Sequence, residues 1–271
     1  MMILKCPGHS DVFFAGSGAD TWHMSLLWEK RAGGAHYQVR QAGRSLRLYT
    51  NGVFHSQYNP RRPVTGSVWD LLWLPAFFYP PDKLRNILVL GVGGGAVIRH
   101  LREFIEPEKI VGVELSNTHL SIARRFFDIK GDDIELHQAD ALDWVKHYSG
   151  PPFDMIVDDL FADYDGEPQR AVTADTAWVN ALSRLLGSEG LIVSNFATRL
   201  ELDVSAYLLS RQCQRRFASA FALSTVQNYN AVGVFTRQHV TTQHLRARIK
   251  SIPSLDPRKS GGACYGIRTL Y

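Results

Sequence analysis

The most constraining feature of this sequence is a pair of short apolar runs separated by a glycine-rich turn and a helix-like segment. The first run, Ile87–Leu90, leads into closely spaced glycines, and the second, Ile110–Glu114, ends in a carboxylate. The glycines are Gly91, Gly93 and Gly95. In a doubly wound α/β domain this order places a nucleotide at the carboxyl ends of the strands, where an acid about 20 residues downstream accepts hydrogen bonds from the ribose. The pattern therefore predicts a nucleotide site built from these glycines and Glu114.

Strand-like and helix-like segments alternate through the middle of the chain. This predicts an α/β fold with a doubly wound, mostly parallel Rossmann-like sheet. The runs Ser224–Asn228 and Ala231–Thr236 predict a terminal antiparallel hairpin. Upstream of the sheet, Tyr37–Gln57 alternates apolar and polar residues around the tight-turn dipeptide Asn51-Gly52, which predicts a small β-meander.

Three segments are predicted from these patterns. Residues 1–63 form a small N-terminal β-rich domain, residues 64–250 form the nucleotide-binding α/β domain, and residues 251–271 form an irregular tail. A helix is expected over Thr65–Phe78, because Thr65 is a good N-cap and apolar residues recur at helical spacing. A second helix is expected over about Asp203–Phe217.

Composition and charge exclude several classes of protein. The 271 residues are 45% hydrophobic and 21% charged, as in ordinary globular proteins. The formal charge of +4 comes without a block of Lys or Arg, so nucleic acid is not an expected partner. The most apolar run, Val68–Tyr79, is too short to span a membrane. Cys6, Cys213 and Cys264 have neither metal-site nor disulfide-framework spacing, which predicts a cytoplasmic protein without a metal centre.

Asp140 and Ala141 follow the third predicted strand and are candidates for contact with a nucleobase. A carboxylate there can accept a hydrogen bond from an exocyclic adenine amine, while the small side chain of Ala141 lets the ring pass. Leu115, directly after Glu114, belongs to the same predicted contact set. Asp is equally well suited to cap the following helix. The acid on the preceding strand favours ligand contact.

Two adjacent carboxylates, Asp158 and Asp159, follow the fourth predicted strand. The segment Asp154–Glu167 contains six acidic residues and no Lys or Arg. An acidic rim would stabilise a sulfonium ion or a protonated amine, so the segment is predicted to line the cleft. The alternative is a solvated acidic loop, which is the usual place of such a run.

Over about Tyr37–Thr236 the chain resembles the spermidine synthase family, within the class I S-adenosylmethionine-dependent methyltransferase superfamily. The resemblance lies in the order of the elements and in four motifs. The motifs are the glycine-rich turn, Val113-Glu114, Asp140-Ala141 and Phe153–Asp159. The resemblance implies a site for S-adenosylmethionine, its decarboxylated form or methylthioadenosine, held by Glu114 and Asp140, with Asp158 in the same set. It also implies that Asp159 is the catalytic carboxylate that helps to deprotonate an attacking amine, and that the protein is a homodimer.

The departures from that family concern its amine-binding residues. Aminopropyltransferases usually carry an Asp at the position of Gly94 and a Gln at the position of His55. Their loop after the fourth strand usually continues with Ser-Asp-Pro or Thr-Asp-Pro, where this chain has Leu160–Asp163. A helix of that family usually starts with Tyr-His-Glu or Tyr-Gln-Glu. In this chain that motif is replaced by about Thr65–Ser67. Because a buried ammonium without its carboxylates is costly to bind, the departures argue against spermidine synthesis.

These observations leave four functional hypotheses. The leading one is methyl transfer from S-adenosylmethionine to a small-molecule acceptor, with an amine among the candidates and with His55 and Asp163 in the acceptor site. The second is aminopropyl transfer to a different amine, with Asp163 or Asp165 in place of the missing carboxylates. The third is a catalytically idle nucleotide-binding or dimerisation module. The fourth is a nicotinamide-dependent oxidoreductase, which Asp140 and the terminal hairpin fit less well.

Overall fold

The computed structural model describes residues 24–164 and 167–271. Within them, the first element is a four-stranded antiparallel meander in which each strand pairs with the next. Its strands are β1 (Ser25–Ala32), β2 (Ala35–Ala42), β3 (Ser45–Thr50) and β4 (Val53–Tyr58). Asn51 and Gly52 have φ angles of 52° and 84°, so the last hairpin turns through the left-handed region, as an Asn-Gly pair predicts. The meander is confirmed and extends one strand further upstream than the sequence predicts, to β1.

The remaining strands build the central sheet and one small hairpin. They are β5 (Asn86–Leu90), β6 (Lys109–Glu114), β7 (Ile134–Gln138), β8 (Phe153–Asp158), β9 (Phe161–Tyr164), β10 (Glu167–Arg170), β11 (Leu186–Phe196), β12 (Ser219–Ser224), β13 (Ala231–Thr236) and β14 (Gly266–Thr269). Within the described residues the central sheet has the order β14-β12-β13-β11-β8-β5-β6-β7. Strands β5, β6, β7, β8 and β11 pair in parallel, whereas β12, β13 and β14 pair antiparallel. The predicted mostly parallel α/β sheet is confirmed, and β9 and β10 form a separate antiparallel hairpin.

Helices cover both faces of this sheet. They are α1 (Asp70–Trp73), α2 (Ala96–Phe104), α3 (Asn117–Phe126), α4 (Ala141–His147), α5 (Thr176–Leu185), α6 (Arg199–Asp203), α7 (Ala206–Leu209), α8 (Arg211–Gln214) and α9 (Thr242–Ser251), with 3-10 turns at Leu74–Phe78 and Pro81–Lys83. Successive side chains of β5 enter different cores, Ile87 and Val89 on one face and Leu88 and Leu90 on the other. A strand buried on both faces explains why this run is apolar throughout rather than alternating.

The strand ends of the predicted nucleotide-binding half meet at one edge of the sheet. Leu90 pairs with Val113 on one side and with Asp158 on the other, and Glu114 pairs with Gln138. Because parallel strands direct their carboxyl ends to the same edge, the residues after β5, β6, β7 and β8 border one crevice. The predicted common edge is therefore confirmed.

The two long helices that the sequence predicts over residues 65–78 and about 203–217 are shorter in the structure and start elsewhere. Thr65 does not cap a helix; α1 begins at Asp70, whose carboxylate reaches back to accept hydrogen bonds from Thr65 N at 2.9 Å and Gly66 N at 2.6 Å. The helix predicted over residues 203–217 is divided into α6, α7 and α8. Ser210 caps the last of these and accepts a hydrogen bond from Cys213 N at 3.4 Å.

The segment after residue 250 is more regular than predicted. Strand β14 pairs with β12, with Phe221 opposite Thr269, so the tail forms an edge of the central sheet. The terminal hairpin is confirmed, but its first strand is β12 rather than residues 224–228. The domain boundaries stay predictions.

Cys213 is a buried free thiol, and Cys264 is disulfide-bonded although the cysteine spacing does not predict a disulfide framework. Cytoplasmic localisation, which rested on that spacing, stays a prediction. In the described part of the chain, no helix is both long and apolar enough to cross a membrane.

Candidate active site

The glycine-rich turn joins β5 to α2 and packs against the end of β8. Gly91 donates from its backbone N to Val113 O at 2.9 Å and has a φ of 85°. A Cβ at Gly91 would lie 2.2 Å from Asp159 O, so the close approach requires glycine. Gly93 and Gly95 complete the turn, and α2 begins directly after Gly95. The predicted nucleotide-binding glycines thereby meet the backbone of the predicted catalytic residue.

Glu114 ends β6, and its carboxylate binds the glycine-rich turn. Oε2 accepts hydrogen bonds from Val92 N at 3.1 Å and Gly93 N at 2.9 Å, and Oε1 accepts one from Ser116 N at 2.9 Å. A carboxylate has about four acceptor sites, so ribose hydroxyls would share or replace these amide contacts. Burial acts to raise the pKa of Glu114, but the hydrogen bond and charge of His119 and the amides of Ser116 and Gly93 outweigh it, and the pKa is lowered.

His119, in the first turn of α3, connects Glu114 to the N-terminal meander. Its Nδ1 lies 3.4 Å from Glu114 Oε1, and its Nε2 lies 2.8 Å from Thr50 Oγ1 on β3. Its ring centroid is 5.4 Å from that of Tyr37 on β2 and 5.2 Å from that of His55 on β4. Three meander strands therefore contact His119, which in turn contacts Glu114, the acid predicted to bind the ribose.

Asp140 caps α4 in this structure. Its Oδ1 accepts hydrogen bonds from Leu142 N at 2.7 Å and Asp143 N at 3.3 Å. Leu115 and Leu142, which follow the ends of neighbouring strands, are 70% and 50% exposed, while Ala141 is buried. Exposed leucines at this edge are apolar surface against which a nucleobase can pack. The capping role is observed, and contact of Asp140, Ala141 or Leu115 with a ligand stays a prediction.

Asp158 ends β8 with its carboxylate fully buried. Its Oδ2 accepts hydrogen bonds from Arg170 Nη2 at 2.9 Å, Trp178 Nε1 at 3.2 Å and Ser194 Oγ at 3.1 Å. Arg170 is the last residue of β10, and its side chain is only 2% exposed. The ion pair between Arg170 and Asp158 therefore connects the β9–β10 hairpin to the central sheet. The charge of Asp158 is compensated inside the protein by this buried guanidinium, and its contact with a cofactor stays a prediction.

Asp159, the next residue, is partly exposed and is held by a pair of amides. Its Oδ1 accepts a hydrogen bond from Asn195 Nδ2 at 2.8 Å, and Asn195 Oδ1 accepts one from Asn230 Nδ2 at 3.1 Å. Burial raises the pKa of Asp159 to about 6; the hydrogen bond from Asn195 opposes the rise, and the charges of Asp158 and Glu114 add to it. A carboxylate with this pKa exchanges a proton readily near neutral pH.

The remaining predicted residues lie in different places. His55 O is 3.3 Å from the position that a Cβ on Gly93 would take, so β4 borders the glycine-rich turn. Asp163 belongs to β9, and its side chain lies outside the described part of the chain. Asp154 accepts a hydrogen bond from Arg85 N at 2.8 Å at the start of β8, at the opposite edge of the sheet. The prediction that the whole segment 154–167 lines the cleft is therefore wrong for its first residue.

Sequence reasoning missed His119, Arg170 and Asn195. The signal for Asn195 is that it lies near the end of β11, the parallel strand next to β8. The signal for His119 is its position in the first turn of the helix that follows Glu114. Arg170 has no comparable signal, because it reaches Asp158 only through the fold of the β9–β10 hairpin.

Comparison with known proteins agrees with this geometry. Residues 87–180 match the family described as a methyltransferase domain. The chain is 30% identical over 118 residues to a polyamine aminopropyltransferase of Chromobacterium violaceum, with 42% of this chain and 43% of that protein covered. It is 27% identical over 129 residues to the eEF1A lysine and N-terminal methyltransferase homolog of Drosophila melanogaster, with 44% and 19% covered. The chain thus spans less than half the length of either relative.

The crystal structure of spermidine synthase from Thermotoga maritima has the same fold. It matches with a TM-score of 0.62 at 13% identity, over 84% of this chain and 78% of that chain. The relatives that match in sequence are named as aminopropyl or methyl transferases. The chain therefore has a spermidine-synthase-like fold, and its residues 87–180 match a methyltransferase domain.

Proposed function

We propose that this protein binds S-adenosylmethionine or a related nucleoside at the glycine-rich turn and transfers a methyl group to a small-molecule acceptor. The observation that carries the proposal is the meeting of Glu114, Gly91 and Asp159 at one edge of the sheet. Glu114 binds the amides of the turn, and Gly91 approaches Asp159 O closely enough to exclude a Cβ. A nucleoside-binding acid and a carboxylate with a raised pKa thus border the same crevice.

The residues at this edge fit an adenosyl group in their chemistry. Glu114 supplies an anionic acceptor for ribose hydroxyls, and the exposed side chains of Leu115 and Leu142 supply apolar surface for a base. Bound S-adenosylmethionine would supply an electrophilic methyl carbon on a positively charged sulfur. The carboxylates of Glu114 and Asp159 would favour that positive charge.

Asp159 is the group that we assign to the acceptor. Its pKa of about 6 leaves it mostly ionised at neutral pH, yet basic enough to take a proton from an acceptor as the new bond forms. Asn195 fixes the carboxylate through Oδ1, and Asn230 holds the Asn195 amide in the orientation that donates to Asp159. The side-chain amides of Asn195 and Asn230 therefore position the carboxylate of Asp159 and take no direct part in the reaction.

Steric contacts at Gly94 favour methyl over aminopropyl transfer. A Cβ at this position would lie 2.8 Å from Ser56 Cβ and 3.0 Å from Phe127 Cε2. The space that an Asp side chain would need is therefore filled by neighbouring residues. Asp158 offers no replacement for that carboxylate, because Arg170 already compensates its buried charge.

Aminopropyl transfer is the second candidate, and the relative named as a polyamine aminopropyltransferase favours it. It requires the same nucleoside site with the decarboxylated cofactor and an amine acceptor. Asp163 on β9 would then have to serve the amine in place of the missing carboxylate.

Calorimetric titration with S-adenosylmethionine, its decarboxylated form, methylthioadenosine and NAD tests the proposal. We expect saturable binding of the three adenosyl sulfur compounds and weaker or no binding of NAD. A preference for the decarboxylated form over S-adenosylmethionine would support the second candidate. Tight binding of NAD alone would refute both.

A further inference from the structure

A polar cavity of about 290 Å³ lies between the N-terminal meander and the loop that joins β12 to β13. Arg47 of β3 and Gln57 of β4 line one part of it, Arg62 and Thr65 another, and Gln227 of the loop a third. Small-molecule sites have volumes of about 300–1,000 Å³, so this cavity suits a small polar group rather than a whole cofactor.

The cavity is positively charged. Its lining includes two guanidinium groups and, among the described residues, no Asp or Glu. Neither Arg47 nor Arg62 forms an ion pair with a described carboxylate. Arg47 Nη1 donates only to the weak acceptor Met24 Sδ, at 3.6 Å, and Arg47 Nε is buried without an acceptor. Arginine forks match the two oxygens of a carboxylate or phosphate, so unpaired arginines in a cavity favour an oxyanion.

The carboxylate of Asp70 contacts Thr65, a residue that lines the cavity, but it does not pair with either arginine. Asp70 accepts hydrogen bonds from Thr65 N, Thr65 Oγ1 and Gly66 N, and it is only 2% exposed. Burial raises the pKa of Asp70 to about 7, although these hydrogen bonds oppose the rise. Asp70 shapes the turn at Thr65 and leaves the two arginines unpaired.

Two segments lead from the cavity towards the candidate active site. Gln227 lines the cavity, and Asn230, three residues further along the same loop, donates to Asn195, which holds Asp159. Three residues span at most about 10 Å. On the other side, Gln57 lines the cavity, and His55 of the same strand borders the glycine-rich turn.

We propose that this cavity is an oxyanion-binding site that holds a carboxylate or phosphate group of the acceptor. The proposal rests on the proposed function, since it names the class of acceptor that Asp159 would deprotonate. Arg47 and Arg62 bind the anionic end, and Gln57 and Gln227 are further hydrogen-bond donors. The acceptor is then a molecule with a nucleophile at one end and an anion at the other, which a diamine is not.

The first test measures binding of inorganic phosphate and of succinate by calorimetry, at ionic strength held constant with sodium chloride. The two probes distinguish a phosphate site from a carboxylate site. We expect saturable binding of at least one probe, weakened about tenfold or more by Arg62→Gln and by Arg47→Gln. The matched control is Arg61→Gln, which removes the same charge from an exposed neighbour outside the cavity.

Two results would overturn the proposal. One is the absence of saturable binding of both probes, and the other is an equal loss of affinity in the Arg61 variant, which would reveal only diffuse surface attraction. Arg47 also lies over the Phe54 ring, at 5.6 Å, so its replacement also removes a packing contact. If Arg47→Gln fails to fold, the exposed-side variant Arg62→Gln decides the test.

The second test addresses the acceptor itself, in the presence of methylthioadenosine. 4-Aminobutyrate carries a carboxylate where putrescine carries a second ammonium, so the pair differs mainly in charge at one end. We expect 4-aminobutyrate to bind more tightly than putrescine, and to lose that advantage in Arg62→Gln. Tighter binding of putrescine would refute the assignment of the cavity to the acceptor. Failure of S-adenosylmethionine, its decarboxylated form and methylthioadenosine all to bind would refute the proposed function and leave the phosphate and succinate result standing.

Discussion

Replacement of Asp159 by Asn tests whether this carboxylate is held in an environment that disfavours its charge. Burial raises its pKa from 3.8 to about 6. The Asn side chain keeps an oxygen that can accept the hydrogen bond from Asn195 Nδ2, so the variant removes the charge and preserves the contact. We therefore expect Asp159→Asn to have a larger free energy of unfolding than the wild type at neutral pH.

The size of the effect follows from the shift. A rise of about 2 pKa units at 1.36 kcal/mol per unit is about 3 kcal/mol, and partial exposure of the side chain reduces this to about 1–2 kcal/mol. The folded pKa lies above the unfolded one, so the contribution to stability is fully present below about pH 4 and is lost as the pH rises through about 6. The advantage of the variant should therefore grow between these values and remain constant above about pH 7.

Urea unfolding of both proteins at pH 4.5 and at pH 8, read by fluorescence, measures this difference without an identified acceptor. As a control, Asp132→Asn removes an exposed carboxylate and should show no such growth with pH. An Asp159→Asn advantage that is absent at pH 8, or equal at both pH values, would refute the raised pKa. Once an acceptor is known, the same variant should lower turnover about 10²–10⁴-fold with little change in nucleoside affinity.

Three further predictions concern the nucleoside and amine sites. Glu114→Ala should weaken S-adenosylmethionine binding by about 1.5–3 kcal/mol, and unchanged affinity by calorimetry would remove the assignment. His119→Gln should raise the pKa of Glu114 and therefore weaken nucleoside binding more at pH 5 than at pH 8, which titration at both pH values measures. Gly94→Asp should lower the free energy of unfolding in urea by about 1–3 kcal/mol, because the new side chain would contact Ser56. The variant should still not form spermidine from putrescine, and efficient spermidine formation would contradict the steric argument.

The sheet edge could be predicted from the sequence because its signals are local. The apolar runs, the glycines and the acid at each strand end all lie within short segments, and parallel strands bring their carboxyl ends together by rule. Glu114 and Asp159 are predicted as site residues in this way, and the register of β5, β6 and β8 places them at that common edge.

The partners of these residues could not be predicted, because they depend on distant segments. Asp158 and Asp159 are adjacent in the sequence, and only the fold of β10, which supplies Arg170, shows which of the two is compensated inside the protein. The contact between Thr50 and His119 likewise joins the meander to α3 across 69 positions of sequence. The helix predicted from a cap at Thr65 is wrong for a local reason, because the Asp70 carboxylate accepts a hydrogen bond from Gly66 N and shapes the preceding turn.

The arrangement of charge is the basis of our proposed choice between the two transfer reactions. A diamine acceptor carries two ammonium groups, and each needs a carboxylate when it is buried. At this edge Asp158 is compensated by Arg170, Gly94 has no side chain, and Asp154 lies at the opposite edge of the sheet. Among the side chains that the structure describes, Asp159 is left to act on one nucleophile, and the proposed acceptor cavity presents arginines. This base and the nearby pair of cations suit the proposed acceptor, which loses one proton and carries a negative charge elsewhere.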